Sequence, residues 1–318
     1  MMPLLMALAL PGLFWNQGPG SAQALRDAGI DHVFVPAAQV EAWKGVDGIR
    51  VEAASLDGAV KLVAPSVDYR INEASATRDP WLESNGWRFL RNPQGRFYYD
   101  VSGATAALAA AEAFTFGANV LVRTDSSGVG PLAKMLAFLR GVNAQDLPPI
   151  ADIGFLDDGS DEAGEVMNLM IRGNLLFRVV KAPDPRLKLT TGGAPGDYPP
   201  EDAGDPSLMA HDIRAKLTDE RRSLRIYGSP VVVGRLAGNA GHLRVYLLNY
   251  DGANRKVNGV RIRVLGRYPS YKAAIAGSPE LRLLDYSAAR DATEFTLPEL
   301  STYAVIDLFQ PGHLSEVR

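Results

Sequence analysis

The sequence predicts a mixed fold, in which an alternating α/β part is followed by an antiparallel β-sandwich. Up to about residue 180, short apolar runs alternate with helical patterns, which is typical of parallel strands covered by helices. Beyond residue 224 the helical period stops, and strand-length runs are separated by Gly, Asn and Pro. At 318 residues, the chain is longer than one hydrophobic core usually supports, so we expect two main bodies.

The first predicted domain, residues 1–148, is a series of strands and helices. Its strands are predicted at residues 10–15, 32–35, 49–53, 60–64, 97–101 and 119–123. Its helices are predicted at residues 21–28, 40–46, 104–116 and 132–140, with Ser21 as an N-cap and glycines after the helix ends. Residues 69–94 are polar, aromatic and irregular, and a connection of that length predicts a functional loop or lid.

Two further parts follow. Residues 149–224 are predicted as a second α/β segment, either separate or part of the same barrel-like body, with strands at 151–156 and 175–180 and helices at 162–173 and 208–218. Residues 225–318 are predicted as the β-sandwich. Its strands are predicted at 229–236, 242–249, 260–265, 281–286, 294–297 and 303–308.

Composition excludes several classes of function. The 36 acidic and 33 basic side chains give a formal charge of -3, without the basic excess that a nucleic-acid partner requires. The absence of cysteine excludes thiolate nucleophiles and zinc–thiolate sites. The four histidines are far apart, and no glycine-rich nucleotide motif is present, so we expect neither a metal nor another cofactor.

The apolar start of the chain has two interpretations. It resembles the apolar region of a signal peptide but lacks a positive amino-terminal region and an A-x-A site. The alternative is that residues 8–15 form a first buried strand. The compartment stays open, with a periplasmic or secreted location slightly favoured. No run approaches the roughly 20 apolar residues of a membrane span.

Candidate catalytic groups lie at the predicted strand ends, where the loops of parallel α/β folds converge. Glycosidic cleavage uses two carboxyl groups, one as the acid and one as the nucleophile or base. The candidate catalytic carboxylates are Asp100, Asp125, Glu73 and Glu52. Asp100 and Asp125 are the first choice because they close neighbouring predicted strands, although either could instead cap the following helix.

A second set of candidates complements sugars, whose apolar C–H faces are ringed by hydroxyl groups. Two tryptophans lie in the long connection, and a third, Trp15, ends the first predicted strand. The candidate substrate-binding residues are Trp15, Asn16, Gln17, Arg70, Trp81, Trp87 and Arg123. The alternative for the tryptophans is structural, with buried rings that hold a loop to its domain.

In this order the parts resemble multidomain bacterial glycoside hydrolases, in which a TIM barrel precedes an amidotransferase-like α/β domain and a β-sandwich. The resemblance rests on the strand–helix series up to Arg123, on residues 150–155 (IADIGF) with 165–169 (EVMNL), and on residues 243–250 (LRVYLLNY). It implies a reduced TIM-barrel-like first part, since a complete barrel takes about 250 residues. No catalytic motif carries over residue by residue, and without cysteine the middle segment cannot act as an amidotransferase.

Two functions stay open at this point. The first is a carbohydrate-active hydrolase with paired carboxylates about 5 to 10 Å apart. The second is a non-catalytic protein that binds glycan or mediates assembly through its sandwich. A carbohydrate partner is expected in both, and a homo-oligomer is compatible with either.

Overall fold

A computed structural model describes residues 10–69, 79–142, 147–192, 206–278 and 281–311. The chain divides into two compact units. Unit 1 consists of Met1–Ser66 with Asn92–Asp146, and unit 2 consists of Val67–Arg91 with Leu147–Arg318. The chain therefore leaves unit 1 after its fourth strand, contributes a segment to unit 2, and then returns. The predicted domain boundaries at residues 148 and 224 stay predictions.

The first eight strands have two to six residues each, and the first four α-helices have 6 to 16 residues. The strands are β1 (Gly12–Phe14), β2 (His32–Val35), β3 (Arg50–Ala53), β4 (Val60–Lys61), β5 (Ser66–Asp68), β6 (Trp81–Glu83), β7 (Arg96–Val101) and β8 (Asn119–Thr124). The helices are α1 (Ala22–Asp27), α2 (Gly86–Arg91), α3 (Thr105–Thr115) and α4 (Ser126–Gly141). Strands β5 and β6 form a separate two-stranded sheet.

Unit 1 is built on a six-stranded sheet with the order β3-β2-β1-β8-β7-β4, in which every pair is parallel. Starting from β4, the order is β4-β7-β8-β1-β2-β3, so the strands of this sheet follow the chain order and the last strand, β8, pairs with the first, β1. In a barrel the last strand likewise pairs with the first. Within the residues that the structure describes, no ladder joins β3 to β4. Closure of this sheet into a barrel therefore stays a prediction.

The two faces of the unit 1 sheet differ in how far their side chains are buried. Successive side chains of a strand point to opposite faces. Phe97, Tyr99 and Val101 of β7 are buried, and the Tyr99 hydroxyl hydrogen-bonds to Glu112 of α3. Tyr98 and Asp100 lie on the opposite face, which we call the open face, and are half-buried and exposed, respectively. The Ala-rich sequence of α3, buried from Ala106 to Thr115, suits close packing against the sheet.

Unit 2 begins with a second, smaller parallel sheet. Its strands β9 (Ile153–Leu156), β10 (Phe177–Val180) and β11 (Leu189–Thr191) have the order β10-β9-β11. Helices α5 (Asp161–Arg172) and α6 (Pro206–Leu217) accompany it. Ser160 caps α5, because its hydroxyl accepts a hydrogen bond from the Ala163 amide at 3.1 Å.

The rest of unit 2 is an antiparallel β-sandwich of two four-stranded sheets. Its strands are β12 (Leu224–Tyr227), β13 (Val232–Gly238), β14 (His242–Asn249), β15 (Val257–Leu265), β16 (Ser270–Ile275), β17 (Leu284–Ala288), β18 (Ala292–Leu300) and β19 (Tyr303–Phe309). The sheet orders are β12-β15-β18-β17 and β13-β14-β19-β16. Alternate side chains from both sheets, such as Val245, Ile262 and Ile306, fill the core between them.

The predicted combination of a parallel α/β part with antiparallel sheets is confirmed. The sequence missed β5, β11, β12 and β16. Strands β5 and β11 have only three residues each, β12 follows directly on a charged run, and β16 has the weak apolar pattern SYKAAI. The supposed irregular connection contains β6 and α2, whose short length hides them among turn residues. Over the described residues, no helix combines the length and apolar character needed to cross a membrane.

Candidate functional site

The carboxyl ends of β1, β8 and β7 lie side by side, because β8 pairs with both of the other strands. Arg123 of β8 is in register with Phe14 on one side and with Asp100 on the other. Asn16 and Gln17 follow β1, and Asp125 follows β8. The sheet order therefore brings these predicted strand-end residues to one edge of unit 1. We call this edge, formed by Asn16, Gln17, Asp100, Arg123 and Asp125, the carboxyl edge.

Asp100 and Arg123 form an ion pair on the open face. Nε of Arg123 donates to Oδ1 of Asp100 at 3.0 Å, and Nη2 donates to Oδ2. Lys61 Nζ lies 3.8 Å from Oδ2 of the same carboxylate. The two side chains of the pair are 37% and 33% exposed, respectively, so solvent can reach them. Asp100 does not cap α3, since the N-cap position is Ala104.

The pKa of Asp100 is held below its usual value. The hydrogen bond from Arg123 is the largest cause, and it outweighs the opposing effect of partial burial. The positive charges of Arg123 and Lys61 act in the same direction. Asp100 is therefore a carboxylate at neutral pH, which is the state that a nucleophile or a hydrogen-bond acceptor needs.

Asp125 has the helix-capping role that the sequence left open as an alternative. Its Oδ1 accepts hydrogen bonds from the Ser127 amide at 3.0 Å and from the Gly128 amide at 3.2 Å, at the start of α4. The Ser127 hydroxyl also donates to Oδ1 and is the largest cause of a lowered pKa at Asp125. Gly128 is required there, because a Cβ atom would lie 1.9 Å from the Thr124 hydroxyl oxygen.

The pKa values of these two carboxylates bear on whether either could act as a general acid. A general acid needs a carboxyl group whose pKa is raised, whereas the pKa values of Asp100 and Asp125 are both lowered. The carboxyl edge thus offers an ionised carboxylate beside a guanidinium group. No described carboxyl group of this edge has a raised pKa.

Glu52 lies away from the carboxyl edge residues. It is on β3, bonded to Arg50, with His32 Nε2 at 3.3 Å from its carboxylate. Between β3 and β7 lie β2, β1 and β8. Four interstrand spacings of about 4.8 Å make a separation on the order of 19 Å along the sheet. The sheet order therefore does not pair Glu52 with Asp100.

Trp15 is placed for support and not for sugar stacking. Its side chain is only 2% exposed, and its indole N–H donates to the Ser21 hydroxyl at 2.7 Å. Ser21 in turn donates to the Gly18 carbonyl at 2.6 Å, which fixes the connection from β1 to α1. Asn16 and Gln17 are exposed, so their amide groups are available at the carboxyl edge.

Trp81 and Trp87 belong to unit 2, and both are half-buried. The guanidinium of Arg172 lies 4.0 Å from the centroid of the Trp81 ring. Arg88 lies 4.4 Å from the Trp87 ring. That ring also approaches Gly164 of α5 so closely that a Cβ atom there would be 3.0 Å from it. The structural role that the sequence left open for these tryptophans accounts for such contacts.

Two candidates, Arg70 and Glu73, lie outside the described residues. Sequence reasoning missed Lys61, which faces Asp100. Lys61 lies within the strand that the sequence predicts at 60–64. Its contact with Asp100 could not be predicted, because that contact depends on the pairing of β4 with β7, which puts Lys61 opposite Tyr98. In the described ranges, no group of three His, Asp or Glu side chains could hold a metal ion.

Comparison with known proteins bears on the fold. No protein-family model and no curated protein matches the sequence. Among solved structures, the chain is similar to α-L-fucosidase isoenzyme 2 from Paenibacillus thiaminolyticus, with a TM-score of 0.52 and 9% identity over 85% of this chain and 70% of that chain.

Two further similarities are weaker. One is to a GH42 β-galactosidase from G. stearothermophilus, with a TM-score of 0.38 and 7% identity over 85% of this chain and 65% of that chain. The other is to a family 30 subfamily 8 xylanase from Clostridium acetobutylicum, with a TM-score of 0.28 and 10% identity over 96% of this chain and 97% of that chain. The similarity to the fucosidase shows that the chain has a loosely glycoside-hydrolase-like fold.

Proposed function

We propose that this protein binds a carbohydrate at the carboxyl edge of unit 1. The observation that carries the proposal is the placement of Asn16, Gln17, Asp100 and Arg123 at the ends of three adjacent parallel strands. Ligands of open parallel sheets bind at this position. The fold similarity to an α-L-fucosidase supports a sugar as the ligand class by analogy.

The chemistry of the carboxyl edge suits a polyhydroxylated ligand. The ionised carboxylate of Asp100 accepts hydrogen bonds from hydroxyl groups, and the guanidinium of Arg123 donates them. Such charge-assisted bonds are stronger than those between neutral groups. The exposed amides of Asn16 and Gln17 both donate and accept. Together they provide the mixed donors and acceptors that a sugar's hydroxyl groups require.

Titration calorimetry with a panel of neutral oligosaccharides tests this proposal. We expect Asp100→Asn to weaken binding about tenfold or more, since it removes the charge from an acceptor. The matched control is Asp31→Asn, which removes a carboxylate paired with Arg140 at 2.8 Å just before β2 begins, at the opposite edge of the same sheet. Equal losses in both variants, or no binding to any member of a broad panel, contradict the proposal.

Hydrolysis of a glycosidic bond is the second candidate function. The position of the Asp100 carboxylate near the end of β7, where solvent reaches it, supports it, because a retaining glycosidase needs an ionised nucleophile that the substrate can reach. In this candidate Asp100 is the nucleophile. Aryl glycoside hydrolysis by the protein, by Asp100→Asn and by the control Asp31→Asn tests it. Turnover that only Asp100→Asn abolishes in folded protein supports hydrolysis, and the absence of turnover in the unsubstituted protein leaves binding as the function.

A further inference from the structure

The open face of the unit 1 sheet is built differently from the face that α3 covers. Parallel sheets are normally covered on both faces, and the face toward α3 is lined by buried side chains such as Tyr99 and Val122. On the open face one row crosses β3, β2, β1, β8 and β7, and its members in that order are Glu52, Phe34, Phe14, Arg123 and Asp100. All of them except Phe14 keep exposed surface, so a ligand can reach this face.

Asp100 belongs to the first of two similar groups of side chains on the open face. Lys61 and Arg123 pair with its carboxylate, and the Arg123 guanidinium lies 5.8 Å from the centroid of the Tyr98 ring. The group therefore combines a carboxylate, two cations and a half-buried aromatic ring. We call it the Asp100 cluster and define it by Lys61, Tyr98, Asp100 and Arg123.

Glu52 belongs to the second group, on β2 and β3. Arg50 donates a hydrogen bond to its carboxylate, and His32 Nε2 lies 3.3 Å from the same carboxylate. The centroids of the His32 and Phe34 rings are 4.7 Å apart. We call this group the Glu52 cluster and define it by His32, Phe34, Arg50 and Glu52. It repeats the carboxylate, basic and aromatic groups of the Asp100 cluster.

An apolar strip separates the two clusters. Gly12 of β1 has no side chain, Phe14 is buried, and Leu121 of β8, in register with Gly12, is half-buried. The separation of Asp100 and Glu52 along the sheet, on the order of 19 Å, exceeds the length of a disaccharide but not that of a pentasaccharide. The two clusters therefore lie at the two ends of an apolar floor that a short sugar chain can span.

Solvent reaches both clusters, and their charges nearly balance. Their charged and histidine side chains are each between 30% and 73% exposed. Three cations accompany two carboxylates, and each carboxylate has a cation beside it, so ionic attraction favours neither a polyanion nor a polycation. Half-buried rings beside exposed hydrogen-bonding groups complement a ligand with apolar faces and a rim of hydroxyl groups. A neutral oligosaccharide has both features.

We propose that the open face of unit 1 is an extended site for a linear neutral oligosaccharide, which contacts the Asp100 cluster at one end and the Glu52 cluster at the other. The choice of a sugar as the ligand rests on the proposed function, whereas the extent of the site rests on the sheet register and on the two clusters. Two contacts made by one ligand reinforce each other. Affinity should therefore rise steeply once the sugar chain is long enough to reach both clusters.

Titration calorimetry of the full chain with cello-, xylo- and β-1,4-galacto-oligosaccharides, from disaccharide to hexasaccharide, tests the proposal. We expect the pentasaccharide of a binding series to bind at least about tenfold more tightly than the disaccharide. Glu52→Gln should weaken pentasaccharide binding about tenfold and leave disaccharide binding nearly unchanged, whereas Asp100→Asn should weaken both. The matched control is Glu41→Gln, which removes a carboxylate from an exposed ion pair with Lys44 at 2.7 Å between β2 and β3 and should affect neither.

The outcomes that overturn this inference differ from those that reject the proposed function. Disaccharide binding that depends on Asp100, with no gain from longer chains or with equal losses in Glu52→Gln and Glu41→Gln, rejects the extended site alone. No binding at any length, or binding that Asp100→Asn does not change, rejects the proposed function as well. Sedimentation equilibrium adds a further test, because a dimer that Glu52→Gln dissociates would indicate that a second copy covers the open face instead. Thermal unfolding of each variant shows that it is folded.

Discussion

Among single residues, Asp307 in β19 carries a negative charge that three close contacts hold in place. It accepts from Arg244 Nε at 2.7 Å and from Nη2 at 3.0 Å, and His242 Nε2 lies 2.6 Å away. Burial opposes ionisation of Asp307, but the hydrogen bonds from His242 and Arg244 outweigh it, so the pKa of Asp307 lies below its usual value. The carboxylate is thus part of the folded structure at neutral pH.

We predict that Asp307→Asn lowers the free energy of unfolding by about 3 kcal/mol, because it removes one partner of a buried ion pair. Denaturant unfolding at neutral pH measures this change. The matched control is Asp31→Asn, whose ion pair is largely exposed and is expected to matter by less than about 1 kcal/mol. A similar small loss in both variants would contradict the buried network.

The pH dependence of stability follows from the same residue. The folded-state pKa of Asp307 is below the unfolded value of 3.8, so the unfolded chain binds this proton first as pH falls. The contribution of Asp307 is complete above pH 3.8 and is lost as pH falls through its folded-state pKa. Asp307→Asn should therefore flatten the acid limb of a stability curve. An unchanged acid limb would be evidence against this assignment.

Two substitutions of Asp125 distinguish a helix-capping role from a role in ligand binding. Asp125→Ala removes the acceptor of the Ser127 and Gly128 amides and should lower the melting temperature by a few degrees. Asp125→Asn keeps an acceptor at the N-cap and should melt near the unsubstituted protein. If Asp125→Asn also leaves sugar binding intact, Asp125 acts through the helix alone. Loss of binding without loss of stability would instead assign it to the ligand.

At the scale of elements, the pairing of β1 with β2 depends on a glycine. A Cβ atom at Gly12 would lie 2.4 Å from a ring carbon of Phe34, so the Phe34 ring occupies the space above β1. We predict that Gly12→Ala costs about 1 to 3 kcal/mol by overpacking. The cost should shrink in a Phe34→Leu background, where the ring is absent. An additive double-mutant cycle would show that the ring is not the obstacle.

Prediction from sequence succeeded for elements with a strong apolar pattern. The predicted strand at 242–249 coincides with β14, and the predicted strand at 32–35 coincides with β2. It failed for 81–91, because β6 and α2 are too short to show a period among their turn residues. The strand-end rule correctly indicated where Asn16, Asp100 and Asp125 would lie. It could not show that Arg123 and Ser127 would engage the two carboxylates, since this depends on register and helix geometry.

At the scale of the whole molecule, the segment Val67–Arg91 interrupts unit 1 in sequence but belongs to unit 2. Within unit 2 the Ser84 and Tyr250 hydroxyls are 2.8 Å apart, and the Tyr69 hydroxyl donates to Asp251 at 2.5 Å. Arg91 bonds Asp157 through Nε at 2.8 Å and Nη2 at 2.7 Å. These hydrogen bonds make the segment Val67–Arg91 a structural part of unit 2, whereas the sequence predicts a functional loop or lid at residues 69–94.

We therefore predict that Trp87→Ala destabilises unit 2 by about 2 kcal/mol, because a half-buried ring is lost from its contact with Gly164. Native-state hydrogen exchange measures the effect separately for each unit. Amides of α5 should exchange faster in the variant, while those of β7 and β8 in unit 1 should be little changed. Uniform acceleration across both units, or none in α5, would contradict the assignment of Trp87 to the unit 2 core.

We have proposed that unit 1 binds a sugar at its carboxyl edge. Hydrogen exchange measured by mass spectrometry, with and without a bound disaccharide from the panel, locates the binding site. We expect protection confined to peptides that contain Asn16, Asp100 and Asp125, with peptides from the opposite edge, around Asp31, unchanged. Protection confined to the sandwich, or to the opposite edge of the sheet, would contradict it.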